Sequence, residues 1–469
     1  MSDLLPLKLA VARGVGALSR RTGRGGTSAP GKLLIRLAPE AIGVLAARLR
    51  DGSALISATN GKTTTAALSA SILARQGIEV VHNQAGANMA GGIATTLLRA
   101  AEPRGAIAGE LGLFEVDELW LASLARQLQP RWIVLGNLFR DQLDRYGELE
   151  TIAESWQALI AKSSACLVLC ADDPMVADLG RERADAVFFG VQDDSLALPG
   201  LAHAADAKHC RRCGAPYAFD AVYLGHLGHY HCPSCGQRRP QPSVSASAVV
   251  LEGVRSARFT LSTPEGQAQV RLALPGLYNV YNALAAAALA GALGVPLSRI
   301  VEGLESSRPA FGRAETVMLS PSTGAHGPGA AGRALQIMLV KNPAGANEVL
   351  RTLALEPGEH DLLGVLNDQI ADGRDVSWIW DADFELLTGR VRVATCSGTR
   401  AAELATRLKY AGIDPERIHV EADLAGALDH AAARRGPDTA PLYALPTYTA
   451  MLALRELLVS RGEASSAWA

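Results

Sequence analysis

Short apolar runs alternate with segments of helical spacing along most of this chain. Residues 54–56, 80–81, 132–136 and 165–170 are apolar runs of strand length, residues 105–118 read as a further strand, and the stretches between them carry apolar residues at helical intervals. The same alternation returns at residues 334–340, 361–366, 391–396 and 441–445. Strand, helix and strand repeated in this way predict parallel, helix-covered sheets. The expected fold is therefore α/β, in two units. Residues 1–38 read as a helical segment and linker, 39–315 as a central domain, and 316–469 as a second, smaller α/β domain. Residues 245–270 break the rhythm. There apolar and polar positions alternate singly, as in Ala257-Arg258-Phe259-Thr260-Leu261, which predicts antiparallel strands.

Two apolar segments raise the question of a membrane. The longest uncharged run, residues 272–298, is interrupted by Pro275, Gly276, Asn279 and Asn282, and its Ala-rich remainder is shorter than the ~20 residues a bilayer requires. It predicts a buried core helix. Near the start, Leu4, Leu7, Val11, Val15 and Leu18 fall on one helical stripe, with Lys8 and Arg13 on other faces. The expectation is that this stripe packs on the neighbouring domain, with a weak amphipathic membrane contact as the alternative. Without a signal-type apolar segment, the expected location is the cytoplasm.

The stretch Thr59-Asn60-Gly61-Lys62-Thr63-Thr64 lies between the apolar run ending at Ile56 and a helical segment. Strand, tight loop and helix with Gly-Lys-Thr at the turn make a phosphate-binding arrangement. Backbone N–H groups and the helix N-terminus face phosphate oxygens, the lysine adds a point charge, and the threonine hydroxyl can ligate Mg²⁺. The general Walker pattern is incomplete, because Ile56 stands where its first glycine belongs. Further along, residues 105–118 form a strand that ends in Glu115, Asp117 and Glu118. Carboxylates at the carboxyl end of such a strand lie where an open α/β sheet binds ligands, so Glu115 is a candidate Mg²⁺ ligand and Asp117 and Glu118 are expected helix caps. Asn137 closes the next strand, with Asp141 and Asp144 expected on a short helical face beyond it.

Composition narrows the field only slightly. The chain has 469 residues, 48% apolar and 20% charged, with a net charge of −2. That balance gives no support to a nucleic-acid partner. Seven cysteines divide more informatively. Cys166, Cys170 and Cys396 sit in apolar runs and read as core residues. Cys210, Cys213, Cys232 and Cys235 form C-x2-C-x18-C-x2-C, the spacing of a closed four-thiolate Zn²⁺ site. A zinc ribbon over residues 205–240 would staple an insertion too short to bury a core of its own.

Taken in order, Thr59-Asn60-Gly61-Lys62-Thr63-Thr64, Glu115, Asn137 with Asp141 to Asp144, Ala171-Asp172-Asp173-Pro174, Asn279-Val280-Tyr281-Asn282, Phe311-Gly312-Arg313 and Lys341-Asn342-Pro343 resemble the ATP-dependent Mur ligase family. The resemblance covers residues 40–469 and is closest to the MurT-type branch, through the four-cysteine insertion, residues 368–380 and Leu445-Pro446-Thr447-Tyr448-Thr449. It implies a P-loop central domain in which Lys62 and Thr63 hold ATP and Mg²⁺, Glu115 ligates Mg²⁺, Asn279 contacts adenine and Arg313 reaches the nucleotide. The implied activity is amidation of the D-glutamate α-carboxyl of lipid II, through an acyl phosphate, at the inner face of the cell membrane. Three residues depart from the family pattern. Ala58 replaces a glycine, Gln142 stands for a metal-binding histidine, and Lys341 precedes Asn342-Pro343 where a histidine is usual.

Ammonia would need a source. Thr395-Cys396-Ser397 lacks the glycine elbow and the histidine of a triad glutaminase. The resemblance supplies a separate GatD-type glutaminase subunit docked on the C-terminal domain, with Asp368, Asp372 or Asp375 completing its Cys-His pair. Two other functions stay open at this level. One is a stand-alone ligase adding an amino acid to a cell-wall or folate-like precursor, and the other is a non-catalytic zinc-ribbon NTP-binding scaffold.

Overall fold

The computed structural model describes residues 4–21, 28–83, 86–103, 105–141, 149–201, 205–308, 313–320, 332–433 and 440–464. A helical layer comes first, with α1 (Leu5–Arg21), α2 (Ala29–Leu37) and α3 (Ala41–Ala46). The chain then alternates through β1 (Ser53–Ser57), α4 (Lys62–Arg75), β2 (Val80–His82), α5 (Ala90–Ala100), β3 (Leu111–Glu115), α6 (Leu121–Leu128) and β4 (Trp132–Leu135). The strands β5 (Cys166–Cys170) and β6 (Val187–Val191) follow. A separate hairpin, β7 (Ala218–Leu224) and β8 (Leu227–His231), stands outside the sheet before β9 (Val244–Glu252), β10 (Ser256–Thr263) and β11 (Gly266–Leu272) return to it.

Among the described residues the large sheet has nine strands in the order β11-β10-β9-β6-β5-β4-β1-β3-β2. Pairing is parallel from β2 to β9 and antiparallel across β9, β10 and β11, as the change from apolar runs to single alternation predicts. β1 lies between β3 and β4, and all five of its residues are buried. A parallel strand covered by helices on both faces has no solvated side, which is why it reads as an unbroken apolar run.

The long uncharged segment is the buried helix Leu277–Ala292, whose small side chains let it lie close to α4 and the sheet. Among the described residues no helix is long and apolar enough to cross a membrane. The first helix departs from expectation. α1 turns Leu5, Leu9 and Ala12 into the core, while Leu4, Leu7, Val11 and Val15 of the expected packing stripe are exposed. The helix is apolar on two faces, and the neighbouring helices cover the other one. Leu18 lies in a part of α1 whose side chains fall outside the described residues.

The second sheet runs β12 (Arg313–Leu319), β13 (Arg333–Met338), β17 (Leu442–Pro446), β14 (His360–Val365), β15 (Val391–Ser397) and β16 (Ile418–Val420), parallel except between β12 and β13. β12 pairs with β13 in this sheet from Arg313 onward. Asp361 is buried between Arg333 and Arg392, a carboxylate held below its usual range because the hydrogen bonds and charges of both guanidiniums outweigh its burial.

The helix Leu297–Glu305 packs on α4 through Gly303, where a Cβ would collide with the Cα of Ile72. Gly303→Ala should therefore cost roughly 2 kcal/mol in urea unfolding, by overpacking. Gly291→Ala, at a helical glycine with open space around it, should be neutral or slightly stabilising.

Candidate functional site

β1 delivers its loop at the carboxyl end of the sheet. Gly61 bridges loop and helix with φ +90°, a conformation that suits glycine, and any Cβ there would strike the Asn282 amide. Asn137, just past β4, clasps the loop from below. Its Oδ1 accepts the Asn60 N–H at 2.9 Å, and its Nδ2 donates to the Asn60 carbonyl at 3.0 Å. The Thr59 hydroxyl accepts the Phe139 N–H at 3.0 Å and donates to the Phe139 carbonyl at 3.2 Å. Ala58, where a glycine is usual, fits because the residue facing it is Gly136.

The charged centre is Lys62. Its ammonium arches back to donate to the Ala58 carbonyl at 2.6 Å and to Glu118 Oε2 at 2.8 Å. Burial works against both charges. The Glu118, Glu115 and Asp117 carboxylates outweigh it at Lys62, whose pKa is raised, and Lys62 with Lys341 outweighs it at Glu118, whose pKa is lowered. Glu118 is thus the counter-ion of the loop lysine and not a helix cap. Asp117 is not a helix cap either: it accepts the Leu119 N–H in the turn before α6, whose N-cap is Trp120 and which has no side-chain cap. Beside the pair, the Thr63 hydroxyl donates to Glu115 Oε2 at 2.7 Å, so the two expected Mg²⁺ ligands are neighbours. Asn88 and Asn83 orient Glu115, the former at its carboxylate and the latter at its backbone. Thr64 is buried behind the loop.

Other contacts come from far along the chain. Asn282 accepts from the Thr65 hydroxyl at 3.3 Å and donates to Asn279 Oδ1 at 3.1 Å, while Asn279 donates to the Pro275 carbonyl at 2.7 Å. The second domain reaches in through Lys341, which pairs with Asp141, and through Asn342, which exchanges hydrogen bonds with Asn60. Burial raises Asp141, more than Lys341 lowers it. Asp141 is on irregular backbone, not on the expected helical face. Gln142 and Asp144 lie outside the described residues, as does the side chain of Arg313.

The four cysteines converge. Cys210 and Cys213 precede β7, Cys232 and Cys235 follow β8, and all four sulfurs lie within 4.8 Å of one another. The Cys210–Cys235 and Cys213–Cys232 sulfur separations are 3.6 and 3.5 Å, close to the ~3.8 Å edge of a tetrahedron with 2.3 Å zinc–sulfur bonds. Each pair sits on the same turn. The Gly214 N–H donates to the Cys210 carbonyl, the Gly236 N–H donates to the Cys232 carbonyl, and both glycines have φ +75°. A backbone hydrogen bond at Cys235 helps lower Cys232 to about 6, whereas Cys235, despite one at Gln237, is pushed up to about 12 with the sulfurs of Cys210, Cys232 and Cys213 beside it. One thiolate forms readily and the next is resisted, a set that a divalent cation completes.

The hairpin above these knuckles reaches the loop. Its tip, Gly225-His226, lies on Phe139, the residue that clasps Thr59, and the His226 and Phe139 rings are 4.5 Å apart. His226 is fully buried, with Nε2 3.3 Å from Asp173 Oδ2. Asp173 accepts the Leu138 N–H and caps the following helix. Asp172 accepts from Arg239 and Tyr281, each at 2.6 Å. The turn Asp172-Asp173 therefore fastens the ribbon to the loop.

The three C-terminal acids do not converge. Asp368 accepts from Thr399 and Arg400, which lower its pKa. Asp372 is buried against the backbone and hydroxyl of Thr449, and burial raises it. Asp375 is exposed, lowered by the Ser377 N–H that one of its oxygens accepts. Cys396 is fully buried, and burial pushes its thiol to about 12.

Residues 56–213 match the family model described as Mur ligase middle domain, and residues 339–451 that described as MurT ligase C-terminal. The chain is 34% identical over 443 residues to the lipid II isoglutaminyl synthase (glutamine-hydrolyzing) subunit MurT of Streptococcus pneumoniae (strain ATCC BAA-255 / R6), and 32% identical over 441 residues to that of Staphylococcus aureus (strain N315). Each alignment covers 94% of both chains. Among solved structures, a pseudomurein peptide ligase type C from Methanothermus fervidus superposes with TM-score 0.67 and 23% identity, over 89% of this chain and 80% of that one. The MurF ligase from Thermotoga maritima in complex with ADP gives TM-score 0.61 and 14% identity, over 92% and 85%. These two likenesses show the shared fold.

Two outcomes follow from the geometry. Glu118→Ala should destabilise the nucleotide-free protein by about 3 kcal/mol in urea unfolding, because it leaves a buried ammonium without its counter-ion, and added Mg²⁺-ATP should narrow the gap. The purified protein should carry about one zinc per chain by elemental analysis, and Cys213→Ser should lose the metal and also weaken ATP binding, through Phe139.

Proposed function

The chain belongs to the MurT branch of the Mur ligase family, and from that premise we propose that it is the synthetase subunit of a lipid II isoglutaminyl synthase. It would activate the D-glutamate α-carboxyl of lipid II with ATP and convert it to the D-isoglutamine amide with ammonia. The observation that carries this reading is the cluster of Lys62, Glu118, Thr63 and Glu115 at the N-terminus of α4, with Asn342 of the second domain closing over Asn60.

The chemistry sets the requirement. A carboxylate does not condense with ammonia at neutral pH, because its oxygen is a poor leaving group. Transfer of the γ-phosphoryl group makes an acyl phosphate and ADP; ammonia then attacks the carbonyl carbon, phosphate leaves with the C–O bond electrons, and the nitrogen loses a proton. The protein's part in phosphoryl transfer is positioning and charge neutralisation. Lys62 exchanges Glu118 for phosphate oxygens, and the free N–H groups at the start of α4 face the same anion. Thr63 and Glu115 would hold Mg²⁺, which supplies further neutralisation of the phosphates. By resemblance, Thr59, Asn60, Gly61, Thr64 and Asn137 shape the nucleotide site, and Arg313, at the start of β12, reaches the nucleotide. Asn279 reaches adenine by releasing the Pro275 carbonyl. Cys210, Cys213, Cys232 and Cys235 would hold Zn²⁺ in a structural role, since four thiolates would leave it no open position.

Burial of Cys396 supports a separate GatD-type glutaminase as the ammonia source. The docking face we assign to it is the segment of residues 368–380 in the second domain, where Ile370 and Trp380 stand exposed, the latter beside exposed Tyr410. Of the three acids there, Asp375 fits the role of completing a partner's Cys-His pair best, because it is exposed and the Ser377 backbone and hydroxyl favour its charged form. Asp372 is committed to Thr449, and Asp368 to Arg400.

Amidation of lipid II should proceed with ammonium, fail with glutamine alone, and return with glutamine plus the partner. Product from glutamine alone, or none under any condition, would overturn the reading. Asp375→Asn should abolish the glutamine-dependent reaction and leave the ammonium-dependent rate within about twofold, a split that compares the two donors on one variant.

A further inference from the structure

The exposed stripe of α1 has a chemistry of its own. At ~100° per residue, Leu4, Leu7, Val11 and Val15 fall within an arc of roughly 80°, and they are 60%, 62%, 47% and 38% exposed. Leu5, Leu9 and Ala12, on the opposite side, anchor the helix to the central domain. Such a row of aliphatic side chains, held in water by a helix that is already docked, invites a second apolar phase.

Charge indicates which one. Residues 1–50 hold nine Lys and Arg against two Asp and Glu, a formal excess of seven positive charges in a chain whose total is −2. Within this layer Arg50 is engaged by Asp51 and Glu110, and Arg13 by backbone carbonyls. Lys32 and Arg36 stand exposed on α2, and Lys8 flanks the apolar stripe. We propose that the exposed face of α1, with Lys8 beside it and the positive excess of residues 1–50, docks the protein on an anionic phospholipid bilayer. Aliphatic side chains enter the boundary between headgroups and acyl chains while Lys and Arg meet lipid phosphates. A protein partner is a poorer fit, since the stripe has no Trp or Tyr anchor and is narrow. At 17 residues α1 is about 25 Å long, so it lies on the bilayer and does not cross it.

The inference deepens the proposed function and rests on it for its purpose. A lipid-linked substrate stays in the membrane, so its carboxyl reaches the cleft only if the enzyme comes to the surface.

The test floats the full-length protein with vesicles of about one-third phosphatidylglycerol in phosphatidylcholine, without lipid II. Binding is expected to fall roughly tenfold when phosphatidylglycerol is omitted or salt is raised, and by as much in the double variant Leu7→Glu, Val11→Glu. That variant should keep the wild-type melting temperature, because both side chains face solvent. It should also amidate lipid II in detergent micelles with ammonium at the wild-type rate, yet lose activity on lipid II embedded in vesicles. Wild type that shows no phosphatidylglycerol-dependent binding, or a double variant that floats like wild type, overturns the docking surface. So does a wild-type dimer in sedimentation velocity that the double variant dissociates. Wild type that binds vesicles but amidates nothing supports the docking surface and removes the ligase reading.

Discussion

A buried ammonium needs a counter-charge, and most of the cleft is arranged by that need. Lys62 is nearly withdrawn from solvent, and in a low-dielectric setting the cost of its charge is met by Glu118 from the loop after β3. The parallel sheet makes this meeting possible. β3, β1 and β4 lie side by side and point the same way, so the segments that leave their carboxyl ends emerge together. Glu115 and Glu118 arrive from one neighbour and Asn137 from the other. The carboxylate supplies the negative charge that Lys62 requires and so helps hold the loop in this form.

The two domains meet at the same place with polar groups. Asn60 and Asn342 exchange hydrogen bonds, and Lys341 reaches Asp141. Contacts of this kind hold a mutual position without burying much apolar surface, so what enters the cleft competes directly with what closes it. Lys341, which departs from the pattern of the wider family, has a clear job here. It pairs with Asp141 and adds to the positive field that keeps Glu118 ionised.

The loop from Thr59 to Thr64, the alternation of strands and helices along the chain and the four cysteines were legible in the sequence, because each is written in adjacent or regularly spaced residues. Glu118 was read as a cap, since nothing local shows that its partner lies 56 positions away. Asn282 and His226 were opaque for the same reason. α1 was read the wrong way round because it has two apolar faces, and only the neighbouring helices decide which is covered. The acids of residues 368–375 look alike in sequence. They differ through Thr449, Arg400 and Ser377, two of which lie tens of residues off.

The ribbon is usually thought of as a detachable ornament on a larger fold, and its geometry here argues otherwise. The seven residues of β7 and five of β8 form an arm of fixed reach between the thiolate cluster and Phe139. Because side chains alternate along a strand, one residue added to that arm would turn His226 to the opposite face and withdraw it from Asp173. The hairpin therefore works as a gauge. Its length sets where the loop from Thr59 to Thr64 stands.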